Sequence, residues 1–310
     1  MLDETKLAAD FACKSDPREI AACWDSQIIT MSSLVSDLES RQQQLGESIH
    51  PDIKPDAVRV QVLAFRRLAC QFGLEGSRWV GQFPTGFPIA GVLSRKGTFA
   101  ENPSTAHPAD NRVLFETSEA RFRERAAKTG TKNAPTLRRE DIRKVEKGWL
   151  CPPVELESAG CPAGFRPGCF KIAFRFGVEQ AAKLRPCGDL KHILTHSARS
   201  AVTPIKLVSW DHLSQICRRI WQKGMDWALF KADHEADYKQ IPLSPKDKAY
   251  ALIAPRSPTD GKWFGFVSRT LTFGAAAAIL HYNVFSRMIT ALVCRKMGSI
   301  AYASPTTSPA

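Results

Sequence analysis

Residues 227–243 constrain this chain most. An apolar run, Trp227-Ala228-Leu229-Phe230, reaches an acid at Asp233 and an aromatic at Tyr238, and the segment closes with Gln240-Ile241-Pro242-Leu243. Such a run reads as a buried strand with a carboxylate at its end, continued by a short alternating stretch to Pro242. A buried carboxylate is costly unless it is paired or bound to metal. Asp233 is therefore either a satisfied structural acid or a ligand, and the segment alone leaves both readings open.

Two other segments bear on that choice. Upstream lies Lys183-Leu184-Arg185-Pro186-Cys187-Gly188-Asp189, a Lys-x-Arg followed by an acid; downstream lies Leu271-Thr272-Phe273-Gly274-Ala275, a Phe-Gly before an apolar stretch. In this order the three segments resemble the fingers motif, motif A and motif B of retroelement (retrotransposon) reverse transcriptases. The resemblance runs from about 60 to 300 and is strongest over 174–300.

The resemblance implies an α/β (α+β) fold: polymerase fingers and palm with a mixed sheet, preceded by a mostly helical N-terminal extension and lacking a thumb. It divides the chain into a helical extension over 1–57, a basic helical region over 58–170, a partial fingers and palm over 171–300, and a disordered tail over 301–310. It also implies RNA-directed DNA polymerisation by two-metal phosphoryl transfer, in which Mg2+ ions compensate developing charge between carboxylates. Asp233 would bridge the ions, and the backbone carbonyl of His234 would add a ligand. Lys183 and Arg185 would grip the triphosphate, the guanidinium being suited to bidentate phosphate contact. Tyr238 would lie beneath the incoming sugar and exclude a 2′-hydroxyl, and Phe273 and Gly274 would let the backbone approach the nascent pair. The implied partners are an RNA/DNA template–primer and deoxynucleoside triphosphates.

The chain departs from that pattern twice. Asp237 stands where a small residue is usual, just before the aromatic. The aromatic-x-Asp-Asp hairpin expected shortly after motif B is missing, and no Asp follows Asp260. A frame slip within Pro305-Thr306-Thr307-Ser308 and a Ser/Thr/Pro tail unrelated to any motif account for this equally well. The expectation is a domain that is inactive as written, since each lost transition-state group costs about 10²–10³ in rate. The competing reading is a non-catalytic nucleic-acid-binding remnant.

The charge balance suits either reading. Lys and Arg number 43 against 31 Asp and Glu, a formal net charge of +12, which favours a polyanionic partner through counterion release. A merely basic surface explains the number as well. Nine scattered cysteines include no Cys-x-x-Cys pair and read as reduced intracellular thiols. His192 and His196 are four apart without an accompanying acid motif, a coincidence of spacing. The start of the chain lacks a signal-peptide pattern. The apolar segment 271–294 contains His281, Asn283 and Arg287, which a bilayer-spanning helix would bury at high cost. It reads as a buried helix of a soluble protein, cytoplasmic or nuclear, without membrane association.

Elsewhere, helical periodicity appears over 29–45 and 56–74, and two charged helices are expected over 111–129 and 136–149. In the second, Arg138, Arg139, Arg143, Lys144 and Lys147 would form a basic face offset by Glu140, Asp141 and Glu146. Residues 79–93 read as an extended packing segment and 171–178 as a strand. A helix over 210–224 would pack Leu213, Ile216, Cys217, Ile220 and Trp221 on one face. A hairpin would pair 249–254 with 262–267 around a Pro-Asp-Gly turn region.

Overall fold

A computed structural model of the chain describes residues 15–49, 51, 53, 60–74, 77–92, 120–122, 124, 133–156, 171–180, 183–190, 199–200, 210–222, 224, 234 and 237–297. The tail over 301–310, His192, His196 and the strand leading to Asp233 lie outside these residues.

The first helix, α1, spans Pro17–Ser48. It starts well before the periodicity at 29–45 because Asp16 caps it. The Asp16 side chain accepts from the Arg18 amide, and Glu19 reaches back to the Asp16 amide, with Pro17 in the first turn. This reciprocal cap satisfies two otherwise orphaned donors. Helix α2, Val62–Gln71, folds back against α1, and Gln42 joins them: its Nε2 donates to the Val60 carbonyl at 3.3 Å and its Oε1 accepts from the Leu63 amide at 3.1 Å. A short helix α3, Ser77–Val80, and turns over 81–85 replace the extended segment expected from 79 onward. That expectation failed because the aromatics Trp79, Phe83 and Phe87 cluster by curling the chain rather than by alternating along a strand.

The centre is a five-stranded mixed sheet of order β2-β7-β6-β3-β4. Its strands are β2 (Val154–Glu155), β3 (Ile172–Gln180), β4 (Lys183–Gly188), β6 (Leu252–Ala254) and β7 (Phe264–Val267). β3 runs antiparallel to β4 and parallel to β6, and β6 pairs antiparallel with β7, which is the hairpin expected between 249 and 267. Pro186 is accommodated because β4 is an edge strand, where a missing donor is tolerated. A separate parallel pair joins β1 (Gly91–Val92) to β5 (Arg199–Ser200). The described part is thus an α+β arrangement of helices and a mixed sheet.

Strand alternation buries the sheet on both faces. Ala173, Ile253 and Phe266 join the larger core with Trp79, Phe83, Phe87 and Tyr282. Ile172, Phe174, Leu252 and Val267 join a second core with Phe122 and Leu156.

Helix α4, Ala134–Glu146, is the second charged helix, but not only a solvated one. Asp141 is completely buried and accepts two hydrogen bonds from Arg175 of β3, at 3.1 Å from Nε and 2.6 Å from Nη2; Lys144 adds a third at 3.3 Å. Arg138 lies over the Phe264 ring. Two of the charges expected on the surface, Arg138 and Asp141, therefore tie α4 to the sheet, and Lys144 supports Asp141 from within the helix.

Helix α5, Trp210–Gln222, corrects a further expectation. Trp221 is 78% exposed rather than packed with the apolar face. It sits in the last turn, where the chain leaves the helix toward Gly224 at φ +64°. Helix α6, Ala276–Met297, is the apolar helix. Its window Ala277–Arg295 is long and apolar enough to cross a membrane, but 67% of it is buried against the rest of the protein. Two of its polar residues are satisfied locally: Asn283 Nδ2 donates to the Ile279 carbonyl and Thr290 Oγ1 to the Ser286 carbonyl.

Candidate nucleotide-binding site

A small backbone ladder brings two of the three motif segments together. The Leu271 amide donates to the Ile241 carbonyl and the Leu243 amide to the Arg269 carbonyl, with Pro242 opposite Thr270. On its other side the same segment holds Phe87, whose amide donates to Pro242 and whose carbonyl accepts from Ser244. The run into Pro242 is not the alternating strand expected. Asp237–Gln240 forms one 3-10 turn, and this turn places the Tyr238 ring inward at 9% exposure.

Tyr238 is held from two sides. Its ring centroid lies 5.6 Å from Phe273 and 5.0 Å from Tyr282, both edge-on. Tyr282 in turn meets His234, with Nδ1 and Oη 2.9 Å apart. Phe273 differs from its neighbours in being 54% exposed. One face of this aromatic group is core, and one ring reaches solvent.

The third segment arrives at its C-terminal end. Gly274 has φ +95°, a backbone state that side chains rarely adopt. A Cβ placed there would lie 3.4 Å from the Gly188 carbonyl oxygen, at the end of β4, and 3.7 Å from Leu190 Cδ1. Asp189, the acid that follows Lys183-Leu184-Arg185 in the sequence, is buried at 7% beside this approach, its amide donating to the Phe174 carbonyl. Arg185 sits farther back on β4, opposite Val178, exposed and without an ion pair among the described residues. Lys183 opens the same strand, opposite Gln180.

The sequence-derived residues Tyr238, Phe273 and Gly274 are thus brought together, with His234 joined through Tyr282 and the Arg185 strand ending against Gly274. Asp233 lies outside the described residues. Among the described residues no group of three or more His, Cys, Asp or Glu is placed to hold a metal ion.

Two contributors were missed in the sequence. Tyr282 completes the aromatic group, and its only signal was a polar interruption, His281-Tyr282-Asn283, in an apolar helix. His281 braces that helix from the neighbouring position. Trp79 Nε1 donates to His281 Nδ1 at 3.2 Å, and the opposite nitrogen lies 2.8 Å from the Pro88 carbonyl. Since indole is only a donor, Nδ1 must accept, so Nε2 carries the proton and donates to Pro88. Burial lowers the His281 pKa to about 4, opposed by the hydrogen bond to Pro88. Asp247 secures the same loop by accepting the amides of Ile89 at 2.6 Å and Ala90 at 3.1 Å; burial nonetheless raises its pKa above the usual carboxylate value.

Comparison of the chain with protein-family models, with curated proteins and with solved structures finds no match in any of the three.

Proposed function

We propose that the chain is the fingers-and-palm part of a retroelement reverse-transcriptase-like domain. In this reading, the surface shared by the end of β4, the Tyr238 turn and the Phe273-Gly274 loop receives a template–primer end and a deoxynucleoside triphosphate. One observation carries the reading: residues from three segments far apart in sequence meet at Gly188, Gly274 and Tyr238, in a group with one exposed aromatic ring.

Phosphoryl transfer demands alignment and charge compensation more than covalent help from protein. Tyr238, wedged between Phe273 and Tyr282, is a fixed wall against which a sugar is positioned and a 2′-hydroxyl excluded. The exposed Phe273 ring offers a face to a base, and Arg185 offers a cation to phosphate. Mg2+ belongs to the reading through Asp233 and the His234 carbonyl, and when bound it would compensate charge on the transferred phosphate. A second reading, binding without incorporation, needs only the net charge of +12 and the exposed Phe273 ring.

Fluorescence anisotropy of a labelled RNA template–DNA primer, titrated with the chain at rising salt, tests the binding that both readings require. Salt-sensitive binding that weakens in Arg185→Ala and in Phe273→Ala is expected. Binding indifferent to both substitutions would refute the site. Primer extension then separates the readings: incorporation abolished by Asp233→Asn identifies the enzyme, and binding without incorporation identifies the second reading.

A further inference from the structure

Helices α1 and α2 leave an open groove between them, of about 630 Å3. Each helix contributes one stripe to it. From α1 come Leu34, Asp37, Leu38 and Arg41; from α2 come Leu63, Arg66, Arg67 and Cys70. Both stripes have the spacing i, i+3, i+4, i+7, which confines the four positions to an arc of about 100° on a helix. On α2 this arc is turned away from the core, since the buried residues Val62, Ala64 and Ala69 all fall outside it. On α1 the line continues to Leu45, which packs against the core and ends the groove there. The open stretch from Leu34 to Arg41 is two turns of helix, about 10 Å long.

Floor and rim differ in chemistry. Leu34, Leu38 and Leu63 are half-buried, and the three arginines are exposed, Arg41 on one wall and Arg66 and Arg67 on the other. None of the three makes an ion pair among the described residues, nor does Asp37. Three guanidiniums against one carboxylate leave the groove an excess of two positive charges. Two adjacent helices with matching stripes form a seat on which a third helix packs, its side chains entering between the ridges. The apolar side of that third helix would cover the leucines. Its flanks would pass the arginines on both walls, where acids give charge-assisted, bidentate pairs. Asp37 repels a further acid beside it and so selects a neutral or basic residue at that point. A nucleic-acid backbone would leave the leucine floor uncovered, and a neutral helix would leave the arginines unanswered.

We propose that the groove between α1 and α2 is a docking site for a short, acidic amphipathic helix of a partner protein, seated on Leu34, Leu38 and Leu63 and held by Arg41, Arg66 and Arg67. This rests on none of the polymerase reading.

Selection of a randomised library of helical peptides on the full chain should converge on apolar residues at i, i+3, i+4 and i+7 with Asp or Glu on the flanks. In fluorescence anisotropy, the selected peptide should bind the double variant Arg66→Glu/Arg67→Glu at least about tenfold more weakly. The same peptide with its acids changed to Lys should regain binding to that variant. Alkylation followed by mass spectrometry should show the bound peptide protecting Cys70, an exposed thiol of the groove, while Cys151, packed against the second core, is labelled as before. Circular dichroism confirms that each variant keeps its helix content. A consensus without acids, a peptide indifferent to the arginine reversals, or one that leaves Cys70 open would each overturn the proposal. So would self-association of the chain, or binding of an RNA–DNA duplex, that the same reversals abolish, since either would put a different occupant in the groove.

Discussion

Replacing Asp141 by Asn removes one charge from the interior while nearly preserving shape. Asp141 is 0% exposed and Arg175 7%, and the carboxylate answers two guanidinium donors and the Lys144 ammonium. An exposed ion pair of this kind would contribute little, but breaking a buried one strands a charge and costs about 3–5 kcal/mol. Lys144 softens the loss. Its pKa is already lowered to about 8, by burial first and by Arg175 second, with Asp141 opposing. Without the carboxylate it falls further, so less is lost by leaving Lys144 neutral than by leaving Arg175 unpaired. The expected loss is therefore near the lower end, about 3 kcal/mol, read as a lower urea midpoint at unchanged slope. The double variant Asp141→Leu/Arg175→Met, which removes both charges, should recover most of it. A loss below about 1 kcal/mol for Asp141→Asn, the range of an exposed pair, would refute the picture of a sealed ion pair joining α4 to β3.

Other outcomes follow from the same geometry. The folded-state pKa of His281, near 4, lies below its ordinary 6.5, so the unfolded chain takes up this proton first. Its contribution to stability is full above pH 6.5 and is lost as pH falls toward 4; urea unfolding across that window should show this slope, and His281→Gln should flatten it. Lys171 and Lys144 are held near 8 against 10.5, Lys171 by burial. Stability should therefore rise between about pH 8 and 10.5, by up to about 1.4 kcal/mol per pH unit for each lysine, as amide exchange would detect. Gly86→Ala should destabilise by more than about 3 kcal/mol, because φ +76° is strained and the new Cβ would lie 2.6 Å from the Leu243 carbonyl oxygen; thermal unfolding measures it. If the proposed function holds, Tyr238→Ala should leave template–primer affinity within about twofold, since the ring is buried between Phe273 and Tyr282 and would meet the incoming sugar rather than the duplex, a difference of at most about 0.4 kcal/mol.

Elements governed by local rules were legible in the sequence. The β6–β7 hairpin followed from a turn signal between two apolar runs, and α6 from an apolar stretch after Gly274. The start of α1 was also written there, in Asp16-Pro17-Arg18-Glu19, a capping box that the periodicity of 29–45 conceals. What escaped depends on partners far along the chain. Asp141 looks like every other acid in a charged helix until Arg175, 34 residues on, is folded against it. Trp221 matches the helical period but falls in a final turn that leaves it 78% exposed. The 3-10 turn at Tyr238 interrupts a pattern that reads as a strand, because the ladder between 241–243 and 269–271 begins only after it. Of the candidate site, the residue types were visible in three segments. Their meeting at Gly188 and Gly274 was not, since the approach is between backbone atoms and leaves no side-chain signature.

The most direct test of the proposed nucleotide site is equilibrium binding of the four deoxynucleoside triphosphates and their ribo counterparts to the chain already loaded with template–primer. The account predicts that the templated deoxynucleotide binds more tightly than the other three and than its ribonucleotide, and that Tyr238→Ala erases the deoxy–ribo difference alone. Equal affinity for all eight, or a sugar preference that survives Tyr238→Ala, would contradict it.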